Sequence, residues 1–313
     1  MTPIKKYYSN AKFLITGEYL VIHGALSLAI PLRFGQYMEV YESDSDVMEW
    51  VAFERAREWL HFSISLAEVL QADCKGESEK DFVCFLLNCA KQLNSNFLEK
   101  FSWVVKSEIN FDRKWGLGSS SSLINNVAQW AEVNPYELHA MVSNGSGYDI
   151  ACANYSSPIL FRRNGSHPMI YPVNFDLDFK EQLFFVYLGN KQNSEESVKI
   201  FLNGNSVTKI QVASISLLSK KILQSKNTIE FDALISEHER FISEVLNSNT
   251  IKAERFPDFK GSVKSLGAWG GDFVLVRSEM KKQAVHRYFW EKGLSTIFSW
   301  DEIILSKKIQ FNE

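Results

Sequence analysis

The sequence has little that would mark a secreted, zinc-stapled or nucleic-acid-binding protein. Its 313 residues include four cysteines, Cys74, Cys84, Cys89 and Cys152. None forms a Cys-x-x-Cys pair or a zinc-ligand spacing, which argues against a disulfide framework or a structural zinc site. They read as reduced, mostly buried thiols of a cytoplasmic protein. No apolar run reaches the roughly 20 residues that span a bilayer. The opening "MTPIKKYYSNAKFLITGEYL" has a basic start but no apolar h-region and no small-residue cleavage site. An excess of one charge is missing too: 34 Lys and Arg stand against 37 Asp and Glu, a formal −3, which argues against a nucleic-acid-binding face. No internal repeat or low-complexity tract stands out. What is present is an ordinary soluble composition, 45% hydrophobic and 23% charged, in a chain long enough for two domains.

Strand and helix patterns occur in both halves. "KFLITGEYLVIHGALSLAI" joins β-formers through two glycine turns and predicts a hairpin or short strand pair. "RFGQYMEVYES" and "FSWVVKSEINF" read as strands, and "FVCFLLNCAKQL" as a buried helix. Helices are expected to about Val133 and from Pro135 through Val142, with Pro135 suited to a first helical position. Strands follow at "PILFRR" and "QLFFVYLG", then long helices at "SVTKIQVASISLLSKKIL" and "TIEFDALISEHERFISEVL". The chain closes on the strand–turn–strand "SVKSLGAWGGDFVLV", a helix near "MKKQAVHRYFW" and a strand "LSTIFSW". The class is α+β, with a break near 165–182.

The stretch "KWGLGSSSSL" places two glycines and four serines before a run that is apolar at helical spacing. Glycine lets the backbone turn sharply and lets another molecule approach it. The first turn of a helix has N–H groups without intrahelical partners, so this bare N-terminus is a ready anion site. Serine is also a favoured N-cap, and capping alone is the competing reading. Two further glycine-rich turns, "GSGYDIA" and "SLGAWGGD", adjoin strong strand or helix patterns. The first loop lacks both the Lys-Ser/Thr ending of a P-loop and the third glycine of a dinucleotide fingerprint.

In combination these segments resemble the GHMP small-molecule kinases, named for galactokinase, homoserine kinase, mevalonate kinase and phosphomevalonate kinase. "AKFLITGEYLVIHGA" is similar to the family's opening, "GLGSSSS" to its phosphate loop, "GSGYDIA" to its catalytic-aspartate segment and "SLGAWGGDFVLV" to its last glycine loop. They stand in the family's order and span nearly the whole chain. The resemblance implies a two-domain GHMP kinase fold: a ribosomal-protein-S5-like ATP-binding domain at 1–172 and a ferredoxin-like domain at 173–313. It implies ATP and Mg²⁺, with phosphate held by Gly116, Leu117, Gly118, Ser119, Ser120 and Ser121 and by Gly267, Gly270 and Gly271. Ser120 is the expected magnesium ligand. Asp149 is the candidate base for the acceptor hydroxyl, with an N-cap as its alternative. Lys12 matches the family lysine that pairs with that aspartate; a solvated strand lysine is the alternative. Glu18, Tyr19 and His23 fall where family members place substrate-side groups, with turn-stabilising roles equally open for Glu18 and His23. Ser146 and Gly147 line the catalytic turn by the same match.

The chain departs from the family at two places. Trp269 stands where the last loop has a glycine, and could block backbone approach, stack on a ligand or point away. Leu138 stands where mevalonate kinases carry a magnesium-binding glutamate; Glu137 is one residue out of register, about 100° around a helix. Magnesium would then rest on Ser120, phosphates and water. "Gly-Glu-Tyr" and "Gly-Gly-Asp" are most similar to phosphomevalonate kinases, then mevalonate kinase. A phosphorylated acceptor calls for another basic residue, with Lys5, Arg33, Lys191 and Lys199 as candidates. The expected partner is thus a small alcohol or phosphate, with no nucleic acid and no membrane, for a monomer or homodimer. The competing readings are an inert nucleotide-binding homologue, a diphosphomevalonate decarboxylase and a dinucleotide-dependent dehydrogenase.

Overall fold

Burial that deepens and alternates along Lys5–Leu14 makes the first strand, β1. The second, β2, is unusually long at Ser27–Glu42. The computed structural model describes residues 2–189, 194–204 and 206–305. The chain divides into two units, and both strands run from one into the other: one unit takes Met1–Ala11, Phe34–Arg113 and Leu117–Asn154, the second Lys12–Arg33, Lys114–Gly116 and Tyr155–Glu313. As the sequence predicts, β1 and β2 pair, and a short 3₁₀ turn, Leu20–His23, lies between them.

In the first unit, β3 (Met48–Glu54), β4 (Arg57–Ile64) and β5 (Trp103–Ile109) extend the sheet. β5 is antiparallel to β2 from Gln36↔Ile109 to Glu42↔Trp103, and β3 runs parallel to β5. Helices α1 (Leu66–Gln71) and α2 (Glu79–Leu93) both start in capping boxes, Ser65 with Glu68 and Ser78 with Asp81. Then come α3 (Ser119–Ala131), α4 (Pro135–Val142) and α5 (Tyr148–Asn154). Pro135 opens α4, as the sequence predicts, and Asn134 caps it. Met38, Val40, Trp50 and Val105 from the strands share one core with Leu87, Val127, Leu138 and Ile150 from the helices.

In the second unit, Ser27–Ala29 of β2 pairs antiparallel with β6 (Ile159–Arg162), which pairs with β7 (Met169–Pro172). A separate sheet contains β8 (Leu183–Tyr187), β9 (Ser262–Leu266), β10 (Phe273–Arg277) and β11 (Ile297–Ser299). Its order is β11-β8-β10-β9. All residues of β9 and β10 are buried, as expected of strands covered on both faces. The helices are α6 (Ser194–Gly204), α7 (Lys209–Gln224), α8 (Thr228–Leu246), α9 (Ile251–Arg255), α10 (Lys282–Glu291) and α11 (Trp300–Ile303). Phe184, Val186, Val274 and Val276 pack with Phe256, Phe259 and Phe289. Phe185 stacks on Phe13 with ring centroids 5.1 Å apart.

Candidate functional site

In the first unit the serine-rich loop becomes the start of α3. Gly118 is the N-cap at φ 97°, ψ 39°, a left-handed conformation strained for other residues. It supplies no side chain to the helix end. The first intrahelical bond runs from the Ser122 N–H to Gly118 O at 3.0 Å. The N–H groups of Ser119, Ser120 and Ser121 therefore precede the hydrogen-bonded ladder. The serines do not face the same way. Ser121 and Ser122 are buried, and Ser121 donates its hydroxyl to Gly118 O at 2.9 Å, whereas Ser120 is exposed. Leu117 is buried.

Behind this turn lies a polar network. Ser122 Oγ donates to Gln36 Oε1 at 2.7 Å, Ser9 Oγ to Asn126 Oδ1 at 2.6 Å, and Asn125 Nδ2 to Ser9 Oγ at 2.8 Å. Asn125 and Asn154 exchange side-chain amide bonds at 3.2 and 2.7 Å, joining α3 to α5. Asn125 and Asn126 are wholly buried, and such groups are tolerated inside only when their hydrogen bonds are made.

Asp149 sits in the first turn of α5, two residues after Gly147 at φ 86°. Its Oδ1 accepts from the Ile150 N–H at 3.1 Å, and its side chain remains 25% exposed. Ser146 Oγ accepts from the Tyr148 N–H at 3.4 Å, so this hydroxyl braces the turn. His139 Nε2 lies 4.0 Å from Asp149 Oδ1. Leu138 is fully buried in the core and Glu137 is exposed.

In the second unit, Lys12, Trp115, Gly116, Gly267, Ala268 and Asp272 line a small cleft. Lys12 Nζ donates to Gly116 O at 3.1 Å. Gly116 has φ +65°, and a Cβ there would lie 1.8 Å from Asp272 Oδ2. Gly267 and Gly270 are also left-handed, while a Cβ on Gly271 would meet Leu266 O at 2.6 Å. Trp269, the departure from the glycine loop, is tied at both ends. Its backbone N–H donates to Tyr19 Oη at 2.9 Å and its indole Nε1–H to Asn249 O at 3.2 Å. Burial pushes the Tyr19 phenol up, and its ring lies 4.9 Å from that of Phe201. His23 stands 6.0 Å from the same ring.

Glu18 is turned into the interior of this unit. It meets Lys264 through Oε1, and its Oε2 lies 3.3 Å from His238 Nε2. Lys264 is also 3.6 Å from Glu239. The four side chains are between 0% and 3% exposed. The Gly17 N–H donates to His238 Nε2 at 3.1 Å, which requires an unprotonated nitrogen there. Burial, with Lys264 nearby, holds His238 well below its usual range. Burial pushes the carboxyl of Glu239 up to about 7, against the pull of Lys264.

Sequence reasoning missed His139, Asp272 and the Lys264–His238–Glu239 group. "Gly-Gly-Asp" flagged Asp272 without a role. His139 lies beside apolar Leu138 and reads as core, and Lys264 lies in a short strand. Among the basic candidates, Lys5 is 3.5 Å from Glu132, Arg33 Nε donates to Ile304 O and Lys199 is exposed. Lys191 lies outside the described residues.

No protein-family model and no curated protein matches the sequence. Solved structures do match. Mevalonate kinase of Methanococcus jannaschii superposes with a TM-score of 0.71 at 15% identity, covering 97% of this chain and 98% of that one. The chain has the two-domain GHMP kinase fold. Streptococcus pneumoniae phosphomevalonate kinase, in complex with phosphomevalonate and AMPPNP, gives a TM-score of 0.70 at 15% identity, with 95% and 100% covered. Lactococcus lactis galactokinase complexed with galactose gives 0.69 at 12%, with 97% and 94% covered. Several acceptor types thus share the GHMP kinase fold at similar distance from this chain.

Proposed function

We propose that the protein is a GHMP-type small-molecule kinase that transfers the γ-phosphoryl group of ATP to an alcohol or phosphate acceptor, phosphomevalonate first and mevalonate second. The observation that carries this reading is the start of α3, with three amides ahead of the helical ladder and a solvent-facing Ser120. In the same unit Asp149 is partly exposed at the start of a helix that is amide-locked to α3. Phosphoryl transfer asks mainly for positioning and charge neutralisation, which fixed N–H groups supply. With an alcohol acceptor, Asp149 would accept the hydroxyl proton; the ionised oxygen of a phosphate acceptor has none to give. Lys12 keeps the part the resemblance implies, lowering that hydroxyl's pKa, and the last glycine loop its phosphate contacts.

A magnesium ion suits Ser120. Among the described residues no cluster of three His, Cys, Asp or Glu could hold a metal, and Ser120 offers one exposed oxygen. This ion keeps several waters and binds through phosphates, so Ser120 with the nucleotide would hold it. It would neutralise phosphate charge. No helix among the described residues is long and apolar enough to cross a membrane.

An ADP-release screen over mevalonate, phosphomevalonate, homoserine and simple sugars tests the reading. Asp149→Asn should keep ATP affinity near normal and lower turnover at least 100-fold. Equal loss of both would remove Asp149 from the role of base. The second reading is an inert nucleotide-binding homologue. It is favoured by the commitment of the Trp269 amide to Tyr19, which takes one donor from the glycine loop. ATP binding without ADP from any acceptor would select it, and carbon dioxide released with ADP would select a decarboxylase.

A further inference from the structure

We propose that His139 is a positioning residue for Asp149, an imidazole that orients the carboxylate and takes away the proton it gains. The inference rests on the kinase reading, in which Asp149 is the base. His139 belongs to α4 and is 5% exposed, and its Nε2 stands 4.0 Å from Asp149 Oδ1. That distance is an electrostatic contact and not a hydrogen bond; catalytic contacts commonly tighten when substrate binds.

The loop that leads to Asp149 passes close beside the ring. A Cβ on Gly145 would lie 3.2 Å from Nε2 and 3.3 Å from Cε1, and one on Gly147 would lie 3.9 Å from Nδ1. At Gly145 the loop leaves little room for any side chain against the ring. Its helix neighbours Leu138 and Val142 are apolar and buried. A third apolar side chain would fill the position without the cost of desolvating two ring nitrogens. Asp149 is the chemical reason for a histidine here.

The other titratable groups near α4 lie on α2, on α4 itself and on α5. α3 carries none. On α2, Glu79 pairs with Arg113, Lys80 with Glu68, the Asp81 carboxylate accepts from the Ser78 N–H, and Lys91 donates to the Ser95 and Phe97 carbonyls. Burial pushes Cys84 and Cys89 up to about 11. On α4, Glu137 is exposed, and Tyr136 packs on Gly147. α5 adds Asp149, Tyr148 and the buried Cys152.

In the transfer itself, the acceptor oxygen forms its bond to the γ-phosphorus as the bond from that phosphorus to the β–γ bridging oxygen breaks, and ADP leaves. With an alcohol acceptor, the hydroxyl proton passes to the Asp149 carboxylate. It then moves to His139 Nε2 and on to water, restoring the carboxylate for the next turnover. Both groups must begin unprotonated, so turnover should fall on the acid side with the slope of two ionisations, belonging to the pair.

The test is kcat against pH for wild type, H139F and H139Q with MgATP and whichever acceptor the screen turns over. H139F is expected to bind ATP within twofold of wild type, to lose about 10- to 100-fold in kcat, and to show an acid limb of single slope. Added imidazole should restore several-fold activity to H139A, a signature that a packing role would not give. Folded H139F with wild-type kcat and an unchanged acid limb would overturn the inference while leaving the kinase reading intact. Should H139F not fold, H139Q carries the same comparison. Wild-type protein that binds ATP yet releases no ADP with any acceptor overturns both.

Discussion

Gly116 and Asp272 meet so closely that not even a methyl group fits between them. A Cβ at Gly116 would overlap the Asp272 carboxylate, and the residue is left-handed as well. Gly116→Ala should therefore cost about 1–3 kcal/mol of stability and weaken ATP binding at least tenfold, by thermal melting and nucleotide titration. Gly267 is left-handed but has no atom within 4 Å of an added Cβ, so Gly267→Ala should show the strain without the collision. At this scale the sequence is readable where backbone conformation demands a residue type, as in Gly-Leu-Gly. It is mute where a partner lies far along the chain. Nothing near Gly116 announces Asp272, and nothing near Trp269 announces that Tyr19 and Asn249 hold it.

Elements repeat the pattern. α4 was legible because Pro135 is a local start signal, and α3 because its apolar spacing is helical. The β3–β4 hairpin carried no such sign. Its turn residues, Arg55 and Ala56, adopt φ 50° and 63°, a conformation ordinarily announced by Asn-Gly or Gly-Gly. Nor did spacing reveal that α3 and α5 are joined by paired amides. Asn125→Ala would leave Ser9 and Asn154 short of partners inside the unit. A loss of about 2–4 kcal/mol is expected in chemical denaturation, from an unmade bond and unsatisfied groups. Turnover should fall further than ATP affinity, because α5 carries Asp149.

For the whole molecule, the buried charges predict how stability follows pH. The Glu239 carboxyl is raised from 4.5 to about 7. Between those values the unfolded chain ionises while the folded one keeps its proton, so this group's contribution falls as pH rises through the window and levels off above it. His238 works in the other direction. Its folded form stays neutral, so stability falls as pH drops below 6.5, the ordinary value, where the unfolded chain gains a proton. Glu239→Gln removes only the first slope. Its melting temperature relative to wild type should rise from pH 5 to pH 8; a difference independent of pH would count against the raised carboxyl. None of this could be read from "SEHERF" and "SVKSL", because a charged residue in a sequence carries no mark of its depth.

The division of the chain also orders its birth on the ribosome. All the residues of the first unit, with the start of α3 and Asp149, have been synthesised once Asn154 is made. Lys12 and Gly116, made early, must wait for Asp272 near the far end before their cleft exists. A nascent chain arrested midway would hold the amides of α3 and only the early half of that cleft's lining, and no contiguous fragment that omits the first unit could hold the whole of it either.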